Sequence, residues 1–490
     1  MFTAVAACEP LDSVITVEHR PPQLRSGTHV RPRWWRSRLS PSSVSTLALT
    51  GIAFLYLLIS LSFSLLTPAG ETNDELDHVQ YIEYIASHGS LPRINIANGD
   101  ESHQPPLYYL VADGWQELLQ IPPFHLELPG ASLGDTSKPR LGLSHAYTAT
   151  QHRDAIYVHE LRILSVLFGL GTVLLTYAAG KLATSQRSVG LAAALFVAVF
   201  PKEDVLSSSV TNDALVIFLG SLSLVLLLLW LRSAPTNPRR HFWLAIFLGI
   251  SLGAAALTKF TALPLVGIFL IIMIGVSILK SRSINGGFYF DAVLTLGGFF
   301  AVAGWWFVRN HHLYGQFLAE RASNAYLKAW NPALIAPVSW LNSQRFLHFV
   351  PRVLSASVWY DGDWNQFLLP QWLSLFLSAL AICCVAILTY DVVRNRGGSL
   401  LRLPVASTVF GALLAGLVAL LVVAKDTTQA EGRITYIGLS AAAVVLVLGI
   451  ARVGRRGSLI WAIGLLAWPL LLLGVDIYVF IHYVFPTRGL

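Results

Sequence analysis

Charge is scarce in this sequence. Asp, Glu, Lys and Arg make up 12% of its 490 residues, against 54% hydrophobic residues. So little charge cannot coat a water-soluble globule of this size, which excludes one and leaves a polytopic membrane protein. Sulfur is scarcer still. The three cysteines are Cys8, Cys383 and Cys384, and the last two are adjacent within an apolar run, which excludes a disulfide framework or a metal site of cysteines. A phosphate-cradling glycine loop, a GxSxG elbow, an HExxH helix and haem or zinc spacings are all missing, which argues against an ATP-driven pump and a zinc protease. Nor is there a clear internal repeat, the usual scaffold of secondary transporters.

What the chain does have is long apolar runs. By the ~20-residue criterion they read as about eleven transmembrane helices of an all-α protein. The runs lie near 44–66, 157–179, 189–201, 213–231, 242–257, 262–279, 288–307, 371–390, 404–423, 435–450 and 458–480. The basic residues fall in alternate short loops: Lys181 and Arg187; Arg232, Arg239 and Arg240; Lys280 and Arg282; Arg394, Arg396 and Arg402; Arg452, Arg455 and Arg456. Such loops face the cytoplasm. The N-terminus is then inside, the C-terminus outside, and the net charge of +7 is topological rather than a nucleic-acid footprint. Residues 1–43 read as a disordered, basic cytoplasmic tail without a cleavable signal peptide, and residues 451–490 as a last span with a short outer end. Between them, 44–450 forms one module. Two of its outer loops are long, loop one at 67–156 and loop four at 308–370, and long loops of this kind are usually functional.

Loop one holds 12 of the 27 acidic residues. Asp74, Glu75, Asp77 and His78 crowd together just past the first apolar run. Carboxylates at a membrane face are costly unless used or solvated. Thr72 and Glu75 have the spacing of a capping box, opening an amphipathic surface helix that ends near Gly89. Asp74, His78 and Tyr81 would share one face of it, with Asp74 kept ionised by the helix dipole and able to orient an attacking hydroxyl. Equally, Glu75 could merely cap and Asp74 merely decorate the first turn.

Other groups have the same double reading. His103 and Gln104 precede Pro105-Pro106 at a rigid helix entry, suited to a phosphate or sugar hydroxyl or simply to starting a helix. Lys202, Glu203 and Asp204 lie in a short outer loop that leads to Asn212 and Asp213, where Asp213 is either an N-cap or a second carboxylate facing Asp74. Lys259, Arg309 and Arg433 stand at span ends, where a cation either binds a lipid phosphate or snorkels to the interface. In loop four, Trp359-Tyr-Asp-Gly-Asp-Trp364 could stack on a sugar, with Asp361 and Asp363 as acceptors, or form an ordinary turn.

Several stretches together resemble the GT-C integral membrane glycosyltransferases, in the branch similar to protein O-mannosyltransferases and the lipid A aminoarabinose transferase. They are Asn73-Asp-Glu-Leu-Asp-His78 with Gly89-Ser-Leu-Pro92, Gln104-Pro-Pro-Leu-Tyr-Tyr109, Leu161-Arg-Ile-Leu-Ser165, Asn212-Asp213, Leu257-Thr-Lys-Phe260, Gly304-Trp-Trp-Phe-Val-Arg-Asn310 and Gly432-Arg433. The resemblance implies a GT-C-like fold and a polyprenyl-phosphate sugar donor. It implies a catalytic acidic pair matching Asp74 and Glu75, with Asp74 as base or acceptor-orienting group, and a further acid matching Asp213. Lys259, Arg309 and Arg433 match the family's lipid-phosphate ligands, and His78, His103, Gln104, Lys202 and Asn212 complete the expected substrate-binding set. The reaction implied is displacement at the anomeric carbon, with polyprenyl phosphate leaving and inversion of configuration. The acceptor is a protein, lipid or glycan of the cell envelope, the setting is the cell membrane, and no nucleotide or nucleic acid takes part. The resemblance names no certain cofactor and leaves open a divalent cation, Mg²⁺ or Mn²⁺, which the acids could hold. Two departures stand out: Arg433-Ile-Thr-Tyr436 replaces an arginine-tyrosine pair, and Lys202-Glu-Asp204 adds charge where relatives are apolar. The alternatives are a transporter or flippase of lipid-linked glycan and a glycan polymerase or ligase.

Overall fold

The computed structural model describes residues 41–72, 74–95, 100–125, 148–233, 238–281, 287–330, 357–362, 367–395, 400–426 and 431–484. The expected basic tail lies almost wholly outside these residues, as do Asp363, Trp364, the middle of loop one and much of loop four.

The described residues are helical nearly throughout. Helix α1 (Pro41–Leu66) is followed by the two loop-one helices α2 (Glu75–His88) and α3 (Leu107–Leu118). Then come α4 (Ala149–Thr184), α5 (Arg187–Ala198), α6 (Pro201–Ser207), α7 (Asn212–Arg232), α8 (Pro238–Thr258), α9 (Leu263–Ser281) and α10 (Gly287–Tyr314). Loop four contributes α11 (Glu320–Trp330) and a two-stranded antiparallel ribbon, β1 (Asp361–Gly362) with β2 (Phe367–Leu368). The chain ends in α12 (Gln371–Arg394), α13 (Leu403–Asp426), α14 (Leu439–Ala451) and α15 (Leu459–Val479).

Among the described residues, ten helices are long and apolar enough to cross a membrane. The expected span near 189–201 is different in kind. It is built from α5 and α6, with Val199 and Phe200 breaking the helix and Pro201 opening the next. The two pieces together reach roughly 30 Å, the thickness of a hydrocarbon core. With that composite crossing the arrangement agrees with the eleven spans expected, and the protein is a multi-pass membrane protein. Its apolar exterior fits: Leu47, Phe54, Leu58 and Leu65 of α1 are all exposed, as lipid-facing side chains are.

Close approach of helices uses small residues, as in other membrane bundles. Helices α8 and α10 cross at Gly253 and Gly298; a Cβ on Gly298 would stand 2.7 Å from the Ile246 carbonyl oxygen. Buried hydroxyls then bond across helices. Thr295 donates to the Ala245 carbonyl at 3.1 Å, Ser223 and Ser251 lie 2.9 Å apart, and Ser440 donates to Ser221 at 2.7 Å.

Because successive crossings alternate in direction, one end of the bundle collects the end of α1, the starts of α4 and α7, the end of α8 and the short 3₁₀ turn Gly432–Gly438 that precedes α14. The functional candidates lie there.

Candidate functional site

The site is organised by a buried arginine. Arg162 of α4 is fully enclosed and uses its whole guanidinium. Nε and Nη2 donate to the two oxygens of Glu75 at 2.7 and 2.6 Å. Nη1 donates to the Ser64 and Thr67 carbonyls at 2.7 and 2.6 Å, and Nη2 to the Pro68 carbonyl at 3.0 Å. Glu75 also accepts from the backbone N–H of Gly70 at 2.8 Å and of Val210 at 3.0 Å. This knot ties the exit of α1 to the start of α2 and to the approach to α7. Burial alone would raise the Glu75 carboxyl, but Arg162 outweighs it and holds the group below the usual carboxylate range.

Two expectations are corrected here. Glu75, expected in a catalytic pair, faces Arg162 and has no exposure to the pocket. The expected capping box is not formed: Thr72 has a buried, unpartnered hydroxyl, and the residue opening α2 is Asp74 in the left-handed region, φ 60°, without a side-chain cap. A helix turns by about 100° per residue, so fixing Glu75 inward aims Asp74 elsewhere.

Asp74 is aimed at Arg433. Nη2 of Arg433 lies 2.5 Å from Asp74 Oδ2, Nη1 lies 3.4 Å from Asp213 Oδ2 and Nε lies 2.8 Å from Glu431 Oε2. Lys259 donates to Asp213 Oδ1 at 2.6 Å. Asp213 sits in the first turn of α7, whose N-cap is Thr211 rather than Asp213 itself. Burial pushes the Asp74 carboxyl up, yet Arg433, with Lys259, brings it below the usual range. Glu431 behaves oppositely. Its burial outweighs the pull of Arg433, and the carboxyl is pushed up to about 7.

His78 lies under Asp74, one helical turn on. Burial drives its imidazole down to about 3, so it is neutral. Its Nδ1 is 2.9 Å from the Tyr109 hydroxyl, which donates to Glu101 at 3.3 Å, and its Nε2 is 3.4 Å from the Thr211 hydroxyl. Tyr109 spends its proton on Glu101, which assigns the His78 proton to Nδ1. Tyr81 stacks on Tyr109 with ring centroids 3.8 Å apart. Asp74, His78 and Glu101 each offer one ligand atom within 4.8 Å of the others, a grouping that could hold a metal ion.

Asp74, His78, Glu101, His103, Gln104, Lys259, Glu431 and Arg433 line one open pocket of about 250 Å³, with Phe260, Leu327 and Val423 on its apolar side. The structure thus brings together six expected residues from four separate segments: Asp74, His78, His103, Gln104, Lys259 and Arg433. Asp213 lies directly behind them. Glu431 and Glu101 were not anticipated, although each stands two residues from one that was.

The other expected residues lie elsewhere. Arg309 donates to the Pro92 carbonyl at 2.8 Å and lies 4.6 Å over the Trp306 ring, lining a separate groove with Arg93 and His312. Lys202 is 1% exposed and pairs with the carboxylate of buried Asp361, donating to its carbonyl at 2.8 Å. Glu203 and Asp204 are fully buried, and neither oxygen of Glu203 has a hydrogen-bond partner. The side chain of Asn212 is buried without a hydrogen-bond partner. Trp359 is internal, stacked on Trp468 at 5.5 Å, so neither it nor Asp361 is placed to meet a sugar. The Lys202 segment is corrected from an outer loop to a short interior helix.

Residues 141–314 match the sequence model of the dolichyl-phosphate-mannose-protein mannosyltransferase family. No curated protein matches the chain by sequence. Among solved structures, the Archaeoglobus fulgidus oligosaccharyltransferase AglB, in complex with an inhibitory peptide and a dolichol-phosphate, superposes with a TM-score of 0.51 at 15% identity. The match covers 91% of this chain and 56% of that one. ArnT from Cupriavidus metallidurans in the apo state gives a TM-score of 0.50 at 13% identity, covering 92% of this chain and 74% of that one. The chain therefore spans about half the length of the archaeal enzyme, and at these identities the likeness is one of fold.

Proposed function

We propose that this chain, which has the GT-C fold of membrane glycosyltransferases, transfers a sugar from a polyprenyl-phosphate donor to a protein, lipid or glycan acceptor on the outer face of the cell membrane. The observation that carries the proposal is the Arg433 clamp: one guanidinium gathers Asp74, Asp213 and Glu431 beside Lys259, in a pocket at the membrane end of the bundle. Arg433 and Lys259 supply the positive charge that a lipid phosphate needs, both on binding and as charge develops on the leaving group. Asp74, ionised and oriented by Arg433, accepts a hydrogen bond from the acceptor hydroxyl and aims it at the anomeric carbon. The bond from that carbon to the phosphate oxygen breaks as the bond to the acceptor oxygen forms, and the hydroxyl proton passes to the Asp74 carboxylate. His103 and Gln104, at the pocket rim, are placed to hydrogen-bond the sugar. His78 is a neutral support for Asp74. The basic ends of the helices support a cytoplasmic opposite face. Dolichol-phosphate in the AglB complex is the kind of lipid proposed here.

A divalent cation, Mg²⁺ or Mn²⁺, would be held by Asp74, His78 and Glu101. They fit in kind, since two carboxylates and a neutral imidazole suit Mn²⁺, but both His78 nitrogens already have partners, and binding would displace Tyr109 or Thr211. A bound cation would add Lewis-acid stabilisation of phosphate charge; no step above depends on it. A transporter of the same lipids is disfavoured, because the pocket's charges stand at helix ends rather than at mid-membrane.

The test is sugar transfer by membranes containing wild type or Asp74→Asn, given radiolabelled polyprenyl-phosphate sugars and a cell-envelope extract. The expected loss in Asp74→Asn is on the order of 10²- to 10⁴-fold at equal protein level. Equal transfer by both would remove Asp74 from the mechanism.

A further inference from the structure

The pocket's charges do not balance. Two cations, Arg433 and Lys259, face three carboxylates, Asp74, Asp213 and Glu431, all in direct contact with one or both. Behind Glu431, Lys202 and Asp361 pair with each other and cancel. His78 is neutral. Fully ionised, the cluster carries one net negative charge, Glu101 on the pocket wall adds another, and an incoming phosphate would meet repulsion in a partly desolvated site. The Arg433 Nε that a phosphate would want is also already paired with Glu431.

We propose that Glu431 is the gate for the lipid phosphate: the phosphate enters as Glu431 takes up one proton from solvent, and Arg433 Nε passes from the Glu431 carboxylate to a phosphate oxygen. This rests on the donor class proposed above and adds a specificity-determining residue to it. The proton goes to Glu431 rather than to its two neighbours for a physical reason. Asp74 is held at 2.5 Å by Arg433, and Asp213 is shared between Arg433 and Lys259, so protonating either would uncouple a cation. Whereas Asp74 accepts a hydrogen bond from the guanidinium, Glu431 is buried and meets Arg433 as an ion pair only, its Oε2 accepting no hydrogen bond. It is already raised to about 7 by that burial, with Asp361 and Asp74 also pushing upward and Arg433 and Lys202 pulling down. Bringing up an anion raises it further. The protonated carboxyl then serves as an O–H donor to the phosphate instead of a competitor for Arg433. The remaining titratable or charged groups lining the pocket are Glu101 and His103.

The sign follows directly. The protonated form binds, so affinity is full below about 7 and falls as pH rises through it. The probe is a short-chain polyprenyl methyl phosphodiester, whose single negative charge is constant from pH 5 to 9 and which needs no sugar. Its binding to the full-length protein in detergent with EDTA is measured calorimetrically at pH 6 to 9, in two buffers of different ionisation heat. Affinity is expected to drop by up to about tenfold per pH unit above 7, with about one proton taken up per ligand. Glu431→Gln, neutral and isosteric, is expected to bind equally at pH 6 and 9 with no proton uptake, and Glu431→Asp to keep the pH dependence. Affinity independent of pH in wild type overturns the proposal. So does an undiminished pH dependence in Glu431→Gln that His103→Gln abolishes. No binding by wild type at any pH overturns the donor class itself, a different failure from either of these.

Discussion

Replacing Glu75 by Gln should destabilise the fold rather than merely slow the reaction. The two Glu75 oxygens accept four hydrogen bonds, Oε1 from Arg162 Nε and Val210 N–H, Oε2 from Arg162 Nη2 and Gly70 N–H. A glutamine has one oxygen and one NH₂. Whichever way its amide turns, the NH₂ faces two donors, and the Arg162 charge is left buried without its counterion. Breaking a buried pair from one side costs about 3–5 kcal/mol, a large part of a typical fold's stability. Arg162→Met alone should cost a similar amount, since it also strands the Ser64, Thr67 and Pro68 carbonyls. The double variant should fall short of the sum by about 0.5–3 kcal/mol, because no unpaired charge remains. Unfolding by SDS in mixed micelles, followed by tryptophan fluorescence, reads all three values. The reasoning is refuted if Glu75→Gln keeps the wild-type midpoint and still loses sugar transfer, which would make Glu75 a group that meets substrate.

Gly432→Ala would place a Cβ about 2.5 Å from the backbone nitrogen of Val358, so the turn carrying Arg433 must move. Binding of the phosphodiester should weaken at least about tenfold at pH 6, and unchanged affinity would show that the turn gives way harmlessly. Mn²⁺ at millimolar concentration should raise the thermal midpoint of wild type in detergent but not of His78→Gln, as expected for a ligand of the folded state; the same rise in both would place the ion elsewhere.

Much of this arrangement could be read from the sequence, for a simple reason. Asp74, Asp213, Lys259 and Arg433 each interrupt or border an apolar run, and alternation of crossings sends all four to one end of the bundle. Partners were harder to see. Arg162 lies inside an apolar run, and nothing in the periodicity of α4 says that it reaches back 87 residues to Glu75. Adjacency also misleads on a helix: 74 and 75 look like a pair, but successive residues point to different sides. Lys202, Glu203 and Asp204 look like a wetted loop because they are charged. The fold instead gives Lys202 a buried partner and encloses Glu203 and Asp204 among packed helices, which hydropathy cannot register. Arg309 shares the membrane end with Arg433, yet its carbonyl and tryptophan partners hold it in another groove.

The left-handed backbone at Asp74 restricts which residues that position accepts. A φ of 60° favours glycine, asparagine and aspartate, and penalises nearly every other side chain. Of those three, one carries charge. Alanine there would strain the turn as well as delete the carboxylate, so its effect could not be apportioned, whereas asparagine alters the charge alone. A descendant released from its chemistry would have two inexpensive ways to drift, to asparagine or to glycine, while keeping the rest of the fold. Asparagine or glycine at position 74 beside an intact Glu75 and Arg162 would therefore mark a chain that has kept the architecture and given up the reaction.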